Sequence, residues 1–188
     1  MKRTTDQKKK DSANAPKAAS GIKVLRGERE PTRGNLESLR GNLDGSKIKI
    51  GIVTARFNSD ITSKLEEGAL HTLKSLGVTA TNTRVVSVPG AVEITVAAKA
   101  LLKSGSDAVI ALGCVIRGET THYESVCGAV DTGLTHLQLE TGKPVVFGVL
   151  TTENLEQAMD RTGGHHGHKG KEAAEVAVEM VNLLKLIK

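Results

Sequence analysis

Ala108-Val109-Ile110-Ala111-Leu112 is an unbroken apolar run, and Gly113-Cys114-Val115-Ile116-Arg117-Gly118-Glu119-Thr120-Thr121-His122 follows it directly. Successive apolar residues put hydrophobic side chains on both faces of a strand, and a sheet covered by helices on both sides buries both. Upstream, Ile48 to Thr54 is a β-branched run, and Thr83 to Val88 is another, stopped by Pro89-Gly90. Downstream, Val145 to Leu150 follows Pro144. Between these strands the period changes. Ile61, Leu65, Ala69, Leu73 and Leu76 recur at helical spacing, with Gly77 where a C-terminal cap belongs and Asn58, Ser59 and Asp60 offering N-cap oxygens. Ala91 to Lys103, Thr121 to Leu139 (closed by Gly142), Asn154 to Arg161 and Lys171 to Leu186 are also helical. Strands alternating with helices predict a central parallel sheet in a three-layer α/β/α sandwich.

The amino-acid balance narrows the function classes. Hydrophobic residues make up 38% of the 188 residues and charged residues 25%, enough for a packed core. Aromatic residues make up 2%, which argues against a stacking platform for nucleic-acid bases. No apolar run reaches the roughly 20 residues that span a bilayer, and the start of the chain lacks the apolar stretch of a secretory signal. Two cysteines, Cys114 and Cys127, point to a reducing, cytoplasmic setting. The net charge of +5 is unevenly placed. Residues 1–47 hold twelve basic against six acidic side chains, whereas the remainder holds fourteen against fifteen. Residues 1–40 therefore read as a disordered basic tail and residues 41–188 as the folded domain. Arg26-Gly27, Arg33-Gly34 and Arg40-Gly41 repeat in the tail. A solvated segment is the reading preferred there, ahead of an anionic-polymer contact.

On an open parallel sheet, ligands bind beyond the carboxyl ends of the strands. The loops there are Ala55-Arg56-Phe57-Asn58, Pro89-Gly90-Ala91-Val92-Glu93, Gly113 to His122, and Thr151-Thr152-Glu153. Arg117 to His122 is a glycine turn feeding a helix N-terminus, where free N–H groups suit a phosphate, and the Thr120 and Thr121 hydroxyls can add to it. It has neither the Walker pattern nor a dinucleotide glycine loop. His122, in the first turn of that helix, is a candidate for proton transfer. Phe57 sits in a loop, either packing locally or offering a ring to a planar substrate. Cys114 and Cys127 lack metal-ligand spacing and read as small buried apolar residues. His165, His166 and His168 lie in a glycine-rich stretch, Gly163 to Gly170, too flexible to favour a metal. The same stretch supplies Lys169, and Arg161 precedes it, two cations suited to phosphate or a polyol.

Taken together, Ala55-Arg56-Phe57-Asn58, Val88-Pro89-Gly90-Ala91-Val92-Glu93-Ile94, Gly113 to His122, Phe147-Gly148-Val149-Leu150-Thr151, Glu156-Gln157-Ala158 and Lys169-Gly170 resemble the lumazine synthase family. The likeness runs in order from about Gly41 to the C-terminus. It implies a flavodoxin-like fold and a condensation of 5-amino-6-(D-ribitylamino)uracil with 3,4-dihydroxy-2-butanone 4-phosphate. That reaction yields 6,7-dimethyl-8-ribityllumazine, phosphate and water, with no metal or redox cofactor. By the same resemblance, Phe57 stacks on the pyrimidine, and Ala91, Val92 and Glu93 hold it and its ribityl chain. Cys114, Val115 and Ile116 present backbone groups to the ring. The phosphate sits on Glu119 and Thr120 N–H groups with Arg161 as a clamp, and His122 shuttles protons. Phe147 and Lys169 come from the neighbouring subunit.

The resemblance also implies pentamers that pair into decamers or close into a sixty-subunit shell. The short Gly163 to Gly170 stretch favours the shell, which in this family can accompany a riboflavin synthase partner. Two positions depart from the family's habit: Val92 stands where an aromatic is common, and His168 where Asn is common. Two other readings compete with this one. An archaeal-type riboflavin synthase is disfavoured by Thr120 and Arg161, since its reaction has no phosphorylated substrate. A catalytically silent shell or scaffold protein, with its basic tail on cargo or nucleic acid, predicts a damaged pocket.

Overall fold

The computed structural model describes residues 38–187. The tail expected over residues 1–40 lies outside them except for its last three residues.

The apolar run at 108–112 is the centre of the sheet. It belongs to β3 (Ala108–Ile116), flanked by β1 (Ile50–Ala55) and β4 (Val145–Thr152), with β2 (Thr83–Val88) beyond β1. All pairings are parallel in the order β2-β1-β3-β4. Ile110 lies between Ile52 and Val146, and it is fully buried. Alternation along β3 sorts its side chains to two cores. Ile110, Leu112 and Cys114 pack under α1 (Ser59–Ser75) and α5 (Lys169–Ile187). Val109 and Ala111 pack under α2 (Ile94–Lys103) and α3 (His122–Thr141). The three layers expected from the alternation are therefore present.

The end of α1 shows how local sequence stops a helix. Gly77 takes φ 88°, its N–H donates to the Lys74 carbonyl, and the Val78 N–H donates to the Leu73 carbonyl. Those two bonds form a Schellman cap, and Leu73 and Val78 share the core beneath it.

The structure corrects three expectations. β3 does not end at Leu112: it runs on to Ile116, because its ladder with β4 continues (Gly113 opposite Val149, Ile116 opposite Thr152) after β1 has stopped. Gly113 permits this, since a Cβ there would lie 3.2 Å from both Ile94 Cδ1 and Val149 Cγ1. The glycine-rich stretch is not a loose loop. It forms an antiparallel hairpin, β5 (Thr162–Gly164) and β6 (Gly167–His168), after the short helix α4 (Leu155–Asp160). Asp160 holds its turn by accepting the His165 N–H and pairing with His166 Nδ1. Finally, Asn58 has no side-chain cap bond to α1.

Before β1, the chain lies along α5. Arg40 pairs with Glu179 at 3.2 Å, and Asn182 donates to the Asn42 and Asp44 carbonyls. No helix among the described residues is long and apolar enough to cross a membrane.

Candidate active site

β2 lies on one side of β1 and β3 on the other, so the strand order reverses between β1 and β3 and opens a crevice at their carboxyl ends. Asn58 sits at this point. It is the only described non-glycine residue with positive φ, at 59°, a conformation that Asn tolerates better than most residues. Its Nδ2 donates to the Cys114 carbonyl at 2.9 Å, tying the β1–α1 loop across the crevice to β3.

One group of candidates gathers around this tether. Phe57 is 71% exposed, a ring held at the crevice with no cover. Its backbone N–H donates to the Pro89 carbonyl, which joins its loop to the one after β2. There the Glu93 carboxylate accepts the Gly90 N–H at 2.9 Å and fixes the turn carrying Ala91 and Val92. Ala91 is buried and Val92 is exposed. Cys114 and Ile116 carry their backbone polar groups on the β1 side, past the last β1 pairing at Leu112. Val115 and Ile116 are half-buried. Cys114 is buried, as expected, and burial pushes its thiol up to about 11. Cys127 is only half-buried, so its reading as a core residue is revised.

The loop after β3 follows. Glu119, Thr120, Thr121 and His122 are all exposed, and the His122 N–H donates to Thr120 Oγ1 at 3.4 Å. That bond leaves the Thr120 hydroxyl proton free for an acceptor. Arg117 braces the loop from beneath. Its guanidinium pairs with Glu124 on α3, lies 2.7 Å from Glu153 after β4, and stacks 4.2 Å from the Tyr123 ring centroid. The two carboxylates raise the Arg117 pKa, and Arg117 holds the Glu124 carboxyl below its ordinary range.

A second group is separate. Phe147, Arg161 and Lys169 line a groove of about 520 Å³ along the open edge of β4, and no other candidate residue lines it. Phe147 is 43% exposed and lies opposite Ala111, three residues before Cys114 along the neighbouring strand. The Lys169 N–H donates to the Arg161 carbonyl, Lys169 Nζ pairs with Glu172 at 2.6 Å, and Arg161 Nη1 donates to the Gln157 carbonyl. Arg161 thus stands with Phe147 and Lys169. The histidines diverge: His166 faces Asp160, while His168 turns inward against α1.

Residues 47–185 match the family model for 6,7-dimethyl-8-ribityllumazine synthase. The chain is also 55% identical over 141 residues to the 6,7-dimethyl-8-ribityllumazine synthase of Bdellovibrio bacteriovorus, covering 75% of this chain and 78% of that protein. The chain belongs to the lumazine synthase family. It is accordingly a transferase of riboflavin biosynthesis acting on small-molecule substrates.

Three residues that position the candidates are not legible as such in the sequence. Arg117 was visible only as part of the glycine turn, because both its carboxylate partners come from other elements. Asn58 looked like a helix cap. Glu172 had a local signal, an acid three residues after Lys169 at the start of a helix.

Proposed function

We propose that this lumazine synthase condenses 5-amino-6-(D-ribitylamino)uracil with 3,4-dihydroxy-2-butanone 4-phosphate in a site shared between two copies of the chain. The division of the candidates into two groups carries this reading. The crevice at the ends of β1, β2 and β3 holds the groups suited to a pyrimidine, while Phe147 and the cations Arg161 and Lys169 lie on the β4 edge. A neighbour's β4 edge set against this crevice completes the pocket.

In that pocket Phe57 stacks on the pyrimidine, and the turn at Ala91, Val92 and Glu93 receives the ring and its ribityl chain. The backbone groups of Cys114 and Ile116 meet the ring edge, whereas Val115, expected with them, is engaged with β4 opposite Thr151. The N–H groups of Glu119 and Thr120, with Arg161, hold the phosphate. The free amine attacks the ketone and water leaves to give an imine. Loss of the proton on C3 expels phosphate from C4, and the resulting enol becomes a ketone at C3. The ribityl-bearing nitrogen attacks that carbonyl and closes the second ring with loss of water. His122 moves protons in these steps. Fixing two reactants side by side supplies most of the acceleration, since proximity alone is worth several kcal/mol.

An absorbance assay with both substrates tests the reading. Product is expected from the full chain, and a folded, assembled protein that makes none overturns it in favour of the scaffold. His122→Ala should slow turnover by about a hundredfold, the low end of what acid–base catalysis contributes. Abolished turnover with intact substrate binding would refute the orientation argument.

The reading extends to a cytoplasmic assembly of pentamers closing into a shell, able to accompany a riboflavin synthase, with residues 41–188 as the domain and residues 1–40 as a basic appendage. If that appendage contacts nucleic acid, binding should weaken with salt and vanish when residues 1–40 are deleted.

A further inference from the structure

We infer that His168 is a positioning residue: its ring is a latch that seats the hairpin carrying Arg161 and Lys169 on α1. The inference rests on the placement of the substrate phosphate at Arg161 proposed above.

Asp160 and the Met159 carbonyl tie the β5–β6 hairpin to α4, but few of its side chains can seat it on α1. Gly163, Gly164 and Gly167 contribute no side chains, and His165 and His166 are exposed. His168 is the exception. Its ring lies in a notch on α1 that exists because residue 68 is glycine, for a Cβ at Gly68 would collide with Cε1 and Nε2 and come within 2.8 Å of Nδ1. The other side of the ring is 3.8 Å from the Cβ position of Gly163. Two residues on, Gly170 meets the same stripe of α1, with a Cβ position 2.9 Å from Leu65 Cα. Leu65 and Gly68 are one helical turn apart, so the β6–α5 junction docks along a single face of α1.

Nδ1 of His168 is buried without a hydrogen-bond partner among the described residues. The ring is thus seated by its fit to the notch and not by a hydrogen bond between Nδ1 and another described residue. The position transmits to the cations through the backbone. His168 pairs with Thr162, the residue after Arg161, and the Lys169 N–H is bonded to the Arg161 carbonyl. Seating the ring therefore sets the origin of both cationic side chains at once.

The test is a double-mutant cycle read by steady-state kinetics. His168→Ala, which empties the notch, should raise KM for the butanone phosphate roughly tenfold, leaving KM for the pyrimidine and kcat close to wild type. Gly68→Ala, which expels the ring, should do the same. The double variant, with a methyl in the emptied notch, should fall nearer wild type than the sum of the two. Circular dichroism and size-exclusion chromatography check that each variant folds and assembles. An unchanged KM for the phosphate substrate in His168→Ala overturns the latch, as does an equal rise in both KM values or simple additivity in the cycle. Arg161→Ala separates the two ideas. If it leaves that KM unchanged, the phosphate placement fails and the latch with it; if it raises KM while His168→Ala does not, only the latch fails.

Discussion

At the scale of single residues, the buried thiol of Cys114 makes a prediction independent of substrate. Its folded value of about 11 stands above the reference 9.0 because burial disfavours the thiolate. The unfolded chain therefore loses its proton first as pH rises. The contribution of Cys114 to stability is whole below pH 9 and drains away between the two values, by about 1.4 kcal/mol per pH unit at the steepest. Urea melts from pH 8 to 11 should show the loss, and Cys114→Ala should flatten it. Cys127 and Tyr123, both also raised by desolvation, add slope of the same sign. A slope identical in the variant would refute the assignment. Thiol reactivity offers a second check: half-buried Cys127 should react in the native protein, and Cys114 only after unfolding.

At the scale of elements, the question is what joins loops that the chain places far apart. The Asn58 carboxamide spans the crevice from the β1–α1 loop to β3, fifty-six residues away. Asn58→Gly keeps the left-handed backbone accessible and removes only the tether. It should cost about 1 kcal/mol of stability, the worth of one hydrogen bond. KM for the pyrimidine should rise several-fold, with KM for the phosphate substrate little changed. Kinetics with each substrate varied in turn decide it; an unaltered pyrimidine KM would show that the tether holds only the fold. Strands and helices themselves were legible, because burial on two faces, helical periodicity and glycine caps are local signals. The length of β3 and the hairpin at Thr162–His168 were not: both depend on partners supplied by β4 and by Asp160.

At the scale of the whole molecule, the two groups of candidate residues predict a site that no single copy completes. Co-assembling His122→Ala with Arg161→Ala should then exceed the average of the two variants. In a one-to-one random mixture, about a quarter of the sites pair an intact crevice with an intact β4 edge, so about a quarter of wild-type activity should return. Recovery no greater than the average of the two variants alone would mean that each chain builds its own site.

The chemistry of the candidate site was present in the order of residues: a Phe57 placed in a loop, a glycine turn before a helix, a histidine in its first turn and the two cations Arg161 and Lys169. These are local features, and local features are what linear order carries. Which candidates share a cavity, and which stand apart on an open sheet edge, followed from strand order and register, since those set the distance between residues remote along the chain. The placements of Asn58, Arg117 and His168 were decided the same way, each by a partner that only folding brings within reach.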